Sequence, residues 1–372
     1  MIRFLTAGES HGPMLSAILE GIPAGLSLTQ KTIQKDLQRR QKGFGASPRM
    51  SLEKDRVQII SGVIQGKTTG GPIGLIIKNR DSQIEQKPPM TIPRPGHADL
   101  TGAIKYGYKD LRLSLERSSA RETAMRVAIG AVCKAFLNFF GILVGGYVVQ
   151  IGSAGIKKDA PMDFIKKIEK AEKSQIRCPF PEEKAMLGEI QKAIEQEDTV
   201  GGIFEVVAIN VPPGLGSFMQ YDRRLDAQIA SLFMSIPAIK GVEFAFAFEN
   251  ATKKGSEVQD EIFASENKRI IRKTNRAGGL EGGITTGEPV VVRAAMKPIS
   301  TIKKGMQSVD LASGKPCLSV YQRSDVCAVP RAVVVGESML SFAIANALIE
   351  KIGGDSMEEM LPRFHSLKDR KL

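Results

Sequence analysis

Two short segments hold the histidines on which acid–base chemistry at neutral pH would depend. Gly8-Glu9-Ser10-His11-Gly12 sets a polar triplet between two glycines. Glycines let a backbone approach a ligand closely, and an imidazole with a pKa of about 6.5 is a ready proton carrier. An ordinary polar turn would have the same composition. Arg94-Pro95-Gly96-His97-Ala98-Asp99 repeats the device on a Pro/Gly-shaped loop. Asp99 would either orient the imidazole or cap a following helix. The chain has only three histidines, so two on glycine-flanked loops are more telling than either alone. The third, His365, is read as a surface residue near the C-terminus.

Arginine is the second ingredient. Arg39, Arg40 and Arg49 form one group, and Arg117, Arg121 and Arg126 another. Guanidinium groups bind phosphate and carboxylate bidentately. Ser118 and Ser119, read as a helix start, would add free N–H groups and a favourable dipole for an anion. The plain alternative is a solvated basic face with Glu122 and Arg126 paired at i,i+4. Arg323-Ser324-Asp325 sets opposite charges side by side, for a ligand or for each other. Lys297-Pro298-Ile299-Ser300-Thr301 follows an apolar run with a lysine and two hydroxyls, suited to an anionic or heterocyclic ligand or to a simple turn. Gly62 to Thr68 has one residue too few between its glycines for a Walker A loop and reads as a turn. Gly43-Phe44-Gly45 lacks the third glycine of a dinucleotide fingerprint.

These loops need elements to hold them. Strands are expected at Ile2–Ala7, Met14–Ile22, Val57–Val63, Gly74–Lys78, Gly202–Val211 and Val290–Met296. Helices are expected at Thr29–Arg40, Ala120–Phe140, Asp163–Ala171, Pro181–Gln196, Asp226–Met234 and Pro330–Ile352. Ser119 to Glu122 fits a capping box. Lys42–Met50, the proline-rich Glu85–Gly96, the basic run Lys268 to Lys273 and Ile270–Gly287 read as loops. The charged Ile156–Gln196 section would be peripheral. Ala135–Ile151 mimics a membrane span but is broken by Asn138, Gly141, Gly145, Gly146 and Gln150, so it reads as a helix end turning through Gly141 into a strand. Met1-Ile2-Arg3-Phe4-Leu5 runs straight into polar residues, unlike a secretory signal. No linker or repeat divides the chain, and one mixed α/β domain is expected.

Composition narrows the partners. A net charge of +12 favours anions. Cys133, Cys178, Cys317 and Cys327 show no zinc spacing and are read as reduced thiols, mostly near the core. No metal site is expected.

Taken in order, these segments resemble the chorismate synthase family over essentially the whole chain. The hallmarks are Gly8-Glu9-Ser10-His11-Gly12, Arg117-Ser118-Ser119-Ala120-Arg121-Glu122-Thr123-Ala124, and Arg323-Ser324-Asp325 with Ala328-Val329-Pro330. Arg94 to Asp99, Ala277-Gly278-Gly279 and Lys297 to Thr301 also look like family segments. The resemblance implies a lyase that converts 5-enolpyruvylshikimate 3-phosphate into chorismate and phosphate by 1,4-anti elimination, with reduced FMN as cofactor. The C6 hydrogen is not acidic, so the reduced flavin carries the hard step. By the same resemblance, His11 looks like the acid towards departing phosphate and His97 like the group protonating flavin near N1. Asp325, with Ser10, would act at flavin N5. Arg40, Arg49 and Arg126 look like substrate-binding arginines. Flavin contacts would come from Arg117, Ser118, Ser119, Pro237, Ala238, Gly282, Lys297, Pro298, Ile299, Ser300, Thr301 and Arg323.

The resemblance further implies a β-α-β sandwich, with helices packed between two antiparallel sheets, as a single domain over residues 1–372. It implies a homotetramer in the cytoplasm, with no nucleic-acid or membrane partner. Ala46 departs from it: many relatives carry there an arginine associated with phosphate or NADP contact. No added flavin-reducing domain is evident, so a monofunctional enzyme fed with reduced FMN from outside is expected. Two other classes compete. A basic nucleic-acid-binding protein fits the pI of about 9.5 but not the absence of Trp and the 6% aromatic content. Another FMN-dependent enzyme acting on a phosphorylated carboxylate would show net flavin turnover.

Overall fold

The computed structural model describes residues 1–46, 53–156, 163–264 and 270–368. Arg49, together with Lys268 and Arg269 of the basic run, lies outside them. Period-two alternation at the N-terminus makes the hairpin β1 (Arg3–Ala7) and β2 (Met14–Glu20), with Leu15, Ala17 and Leu19 buried. α1 (Gln30–Gln41) follows, capped by the Thr29 hydroxyl and burying Ile33 and Leu37. β3 (Val57–Ser61) and β4 (Ile73–Lys78) complete an antiparallel sheet of order β1-β2-β4-β3. Gln65 and Gly66, both at positive φ, turn the small hairpin between them, as expected for that glycine-bearing segment.

Next come α2 (Asp99–Tyr106), α3 (Arg112–Ser118) and α4 (Thr123–Phe139). The second half holds β5 (Leu143–Ile151), α5 (Phe164–Lys173), α6 (Glu183–Glu195), β6 (Gly202–Ile209), α7 (Leu225–Met234), β7 (Ile239–Phe244) and β8 (Val290–Met296). These strands form an antiparallel sheet of order β7-β8-β6-β5, extended by the short Ala154–Gly155 strand. α8 (Val329–Ile352) and α9 (Met357–Lys368) end the described chain.

α4 packs on β1, β2 and β4 and also against α8, while α8 lies on β5 and β6. Gly130 of α4 faces Ser338 of α8, where a Cβ would collide with the serine. That small–small crossing lets the two helices meet closely. α8 is long and apolar enough to cross a membrane, but 89% of its most apolar window is buried. Its side chains are core, and each fully buried Val, Leu or Ile contributes about 1.5–3 kcal/mol. Pro330 sits in its first turn, where the missing N–H costs nothing, and Gly353 ends it.

Several expectations need correction. The helix expected from Ala120 starts as a 3₁₀ turn (Ala120–Glu122), and α4 proper begins at Thr123. Ser119 accepts from the Arg121 N–H, but the Glu122 carboxylate goes to Thr6 and Arg126 instead of closing the capping box. Ile270–Gly287 is not all loop. Ile270–Arg272 pairs with Ile262–Ala264, and the Gly282-Gly283 turn joins Leu280–Glu281 to Ile284–Thr285. The peripheral section is also less solvated than its charge suggests, since α5 and α6 pack on β5 and bury Ala171, Met186 and Ile190. Lys167 is buried among Tyr147, Phe164 and Phe180, with its ammonium 5.1–5.6 Å from each ring centre.

Candidate active site

The loops that carry the chemistry converge on one cavity of about 910 Å³. β1 delivers Ser10 and His11, because Gly8 takes φ +111° where a Cβ would strike the Met14 carbonyl. The polar triplet therefore turns sharply off the sheet. α3 meets it from the other side. Glu116, 2% exposed, accepts the His11 backbone N–H at 2.7 Å and faces His11 Nδ1 at 2.8 Å. Burial alone would raise the Glu116 carboxyl, but the His11 hydrogen bonds outweigh it and hold the group below its usual range.

His97 is built the same way from another loop. Its Nδ1 lies 2.6 Å from Asp99 Oδ1, and Arg94 donates to both Asp99 oxygens at 2.8 and 3.0 Å. Burial opposes the Asp99 charge, yet the His97 and Arg94 hydrogen bonds hold its carboxyl far below the ordinary value. The segment after β8 fastens this loop. Thr301 accepts from Arg94 at 2.8 Å, and Lys297 Nζ and Ser300 Oγ both donate to the Gly96 carbonyl, at 2.6 and 2.8 Å. Burial, and then Lys240, lower the Lys297 ammonium. The turn between α7 and β7 forms a further wall, where Ala238 holds a left-handed φ of 69° and its carbonyl accepts from the Lys297 N–H at 3.0 Å. A non-glycine residue in that region stores strain.

Electrostatics mark the cavity. Ten lysines and arginines line it against three acids, Asp81, Glu122 and Asp325. Part of that surplus is met from behind the lining, where Asp55, Glu53 and Asp99 pair with Arg40, Arg121 and Arg94. Arg40 is 2% exposed and donates to Thr123 and to the Ala120 carbonyl, with Asp55 at 3.4 Å. Burial, followed by Arg331 and then Arg121, brings its guanidinium down to about 9. Arg121 is engaged with Asp55, Glu53 and Asn79. Arg126 meets Glu122 at 3.0 Å and Ser235 Oγ at 2.6 Å. Both readings of that residue thus hold: it forms the i,i+4 pair and still faces the cavity.

Asp325, paired with Arg331, also lines the cavity, as do Arg117, Ser118, Ser119, Pro237, Ile299 and Arg323. Pro298 and Gly282 are not among the lining residues. Gly282 turns the hairpin against Phe218. Arg39 points away from the cavity. Ser118 ends α3 instead of opening a helix, and its hydroxyl donates to the Ser114 carbonyl at 2.6 Å. Glu116 is invisible to sequence reasoning, because a glutamate one place before the Arg117 segment carries no spacing signal. Among the described residues no three His, Cys, Asp or Glu side chains gather to hold a metal ion.

Two proton carriers, each backed by a carboxylate, thus face one electropositive cavity, which suits acid–base chemistry on a multiply anionic ligand. Comparison with known proteins agrees. The family model for chorismate synthase matches residues 2–349. The chain is 52% identical to chorismate synthase of Aquifex aeolicus (strain VF5), over 98% of this chain and 96% of that protein. It is 50% identical to that of Geobacillus kaustophilus (strain HTA426), over 96% of each. A solved crystal structure of chorismate synthase superposes with a TM-score of 0.83 at 47% identity, covering 100% of this chain and 98% of the other. On sequence, architecture and cavity alike, the chain belongs to the chorismate synthase family.

Proposed function

We propose that this cavity binds reduced FMN beside 5-enolpyruvylshikimate 3-phosphate and carries out the 1,4-anti elimination that yields chorismate and phosphate. The enzyme is a lyase of the shikimate pathway, as its family membership establishes. The observation that carries the site assignment is the convergence of His11 and His97, each on its own carboxylate, at a cavity lined by ten bases and three acids. Ligand sites commonly run to about 300–1,000 Å³, so about 910 Å³ suits a cofactor with a small substrate. Apolar Leu115, Ile236, Pro237 and Ile299 offer a wall for a flat ring, and the cationic rim suits its phosphate. Bound reduced flavin would supply the electron transfer that lets a non-acidic hydrogen and a phosphate leave.

The residues divide the remaining work. His11 holds a proton towards the departing phosphate, and His97 holds one towards flavin near N1. Asp325, with Ser10, acts at N5. Arg40 and Arg126 bind the substrate's anionic groups, as does Arg49, and the cofactor lies along Arg117 to Ser119, Pro237 to Ala238, Lys297, Ile299 to Thr301 and Arg323. Lys297 and Ser300 serve also by fastening the His97 loop. The layer of α4 and α8 between the two antiparallel sheets supports the reading of a β-α-β sandwich in a single domain.

A homotetramer is supported by the outer face of the first sheet. There Leu5 and Ile18, cross-strand neighbours, are 74% and 53% exposed. Four unpaired cysteines fit a cytoplasmic setting.

The test is anaerobic. Protein, dithionite-reduced FMN and substrate should release chorismate and phosphate in equal amounts, and oxidised FMN should support neither. Net flavin consumption would favour the oxidoreductase alternative. Turnover sustained by NADPH and oxidised FMN, with no external reductase, would contradict a monofunctional enzyme.

A further inference from the structure

We infer that Glu116 is a positioning residue: its carboxylate fixes the proton of His11 on Nδ1 and so leaves Nε2 to serve the cavity. The inference rests on the reading of His11 as the acid towards phosphate.

The geometry leaves one arrangement. Glu116 Oε2 takes the His11 backbone N–H at 2.7 Å, and that group can only donate. Oε1 faces His11 Nδ1 at 2.8 Å. An ionised carboxylate only accepts, so Nδ1 must carry a hydrogen in both the neutral and the cationic ring. Nε2 then has a bare lone pair or, in the imidazolium, the one proton that can be passed on. The Ser10 N–H donates to the Glu116 carbonyl at 3.1 Å, so α3 grips the loop at three points.

The charges around the ring are few. Asp81, after β4, lies 3.6 Å from Nε2, and Arg323 lies 3.7 Å from Asp81. Lys87 acts on Glu116 from the proline-rich loop, and Glu9 belongs to the ring's own loop. Glu116 is the acid nearest the ring and the one buried with it: its side chain is 1% exposed, against 20% for Asp81.

A purely structural strap is the competing role, and Glu116→Gln separates the two. Glutamine has one acceptor oxygen. If that oxygen keeps the backbone N–H, the amide NH₂ meets Nδ1 and drives the proton to Nε2. With three histidines in the chain, long-range ¹H–¹⁵N spectra of the full-length protein resolve each ring, and His11→Ala assigns the signals. The wild type should show the neutral Nδ1–H tautomer at His11. Glu116→Gln should show Nε2–H, an imidazolium pKa lower by about one unit, and kcat reduced on the order of 10²–10⁴ with KM little changed. Glu116→Asp should restore part of the kcat.

An Nε2–H tautomer in the wild type would overturn the inference without any variant having to fold. So would Glu116→Gln with unchanged tautomer and titration. If the tautomer inverts as expected while both Glu116→Gln and His11→Ala keep full turnover, the positioning stands and the acid role of His11 fails.

Discussion

Arg39 and Arg40 are neighbours on α1 and live in opposite electrostatic worlds. Arg39 meets Glu337 through two bonds of 2.7 and 2.9 Å, Asp36 at 2.8 Å and Glu172 at 3.0 Å. Lys134 and Arg177 complete a cluster of three bases and three acids. Burial opposes the Arg39 charge, but these carboxylates outweigh it and hold the guanidinium above its ordinary value. Arg40, about 100° round the helix, is pulled down instead, first by its burial and then by Arg331 and Arg121, which Asp55 and Asp325 only partly offset. A second hollow of about 610 Å³ lies beside the Arg39 cluster, but the charges there are matched. Matched charges hold helices together, and unmatched ones ask for an anion. Size alone would not have told the two cavities apart.

Breaking the matched side should have the largest effect. Glu337 is fully buried on α8, and Glu337→Gln leaves three bases, Arg39, Lys134 and Arg177, facing only Asp36 and Glu172. The expected loss is about 3–5 kcal/mol of stability, seen as a lower denaturant midpoint. The same carboxyl predicts acid behaviour. Burial would raise its pKa, but Arg39 and Lys134 dominate and depress it strongly. Its contribution is therefore complete above the ordinary value of 4.5 and is lost as pH falls from there towards the lower folded value. A denaturation series from pH 7 to pH 3 should show the wild type losing its advantage over Glu337→Gln only at the acid end.

On the unmatched side, His11→Ala and His97→Ala should each cut turnover about 10²-fold or more under saturating reduced FMN. Circular dichroism and Tm should stay near wild type. Near-normal turnover in either variant would remove that histidine from the scheme. Inorganic phosphate should then sharpen the contrast without catalysis. At about 100 times its Kd it should stabilise the wild type by about 2.7 kcal/mol, and Arg40→Met should lose most of that gain. An equal gain in both proteins would mean that Arg40 is not part of the anion site. The smallest effect is expected from Thr29→Ala, which removes the cap of the helix carrying both arginines. About 1 kcal/mol of stability should go, with turnover little changed.

Much of the frame is legible in the amino-acid sequence. Helical spacing locates α1, and unbroken apolar or alanine-rich runs locate α8, α4 and β8, to within a few residues, because those elements bury one face or all of themselves. α2, α3 and β7 carry no comparable signal. α2 and α3 are short and lie in a polar stretch, and β7 owes its place to pairing with β8, with a register shift between Ile239 and Gly241. In the site, the two histidine loops stand out because glycine and proline shape a backbone locally. Ser118 misleads because a helix end and a helix start share the same small polar residues.

The divide follows from distance along the chain. Local composition suffices to mark which residues can carry a proton or bind an anion, since imidazole and guanidinium chemistry travels with the side chain. It cannot say which charges will be matched. Arg39 finds Glu337 at a separation of 298 positions, and Arg40 finds Thr123 at 83. Glu116 reaches His11 across 105. These pairings are created when α4 packs on the first sheet, α8 on the second and the two helices on each other, and when α3 folds against the first loop. Only then do adjacent arginines acquire opposite roles, because the pKa and function of a buried charge depend on what packing brings within a few ångströms of it.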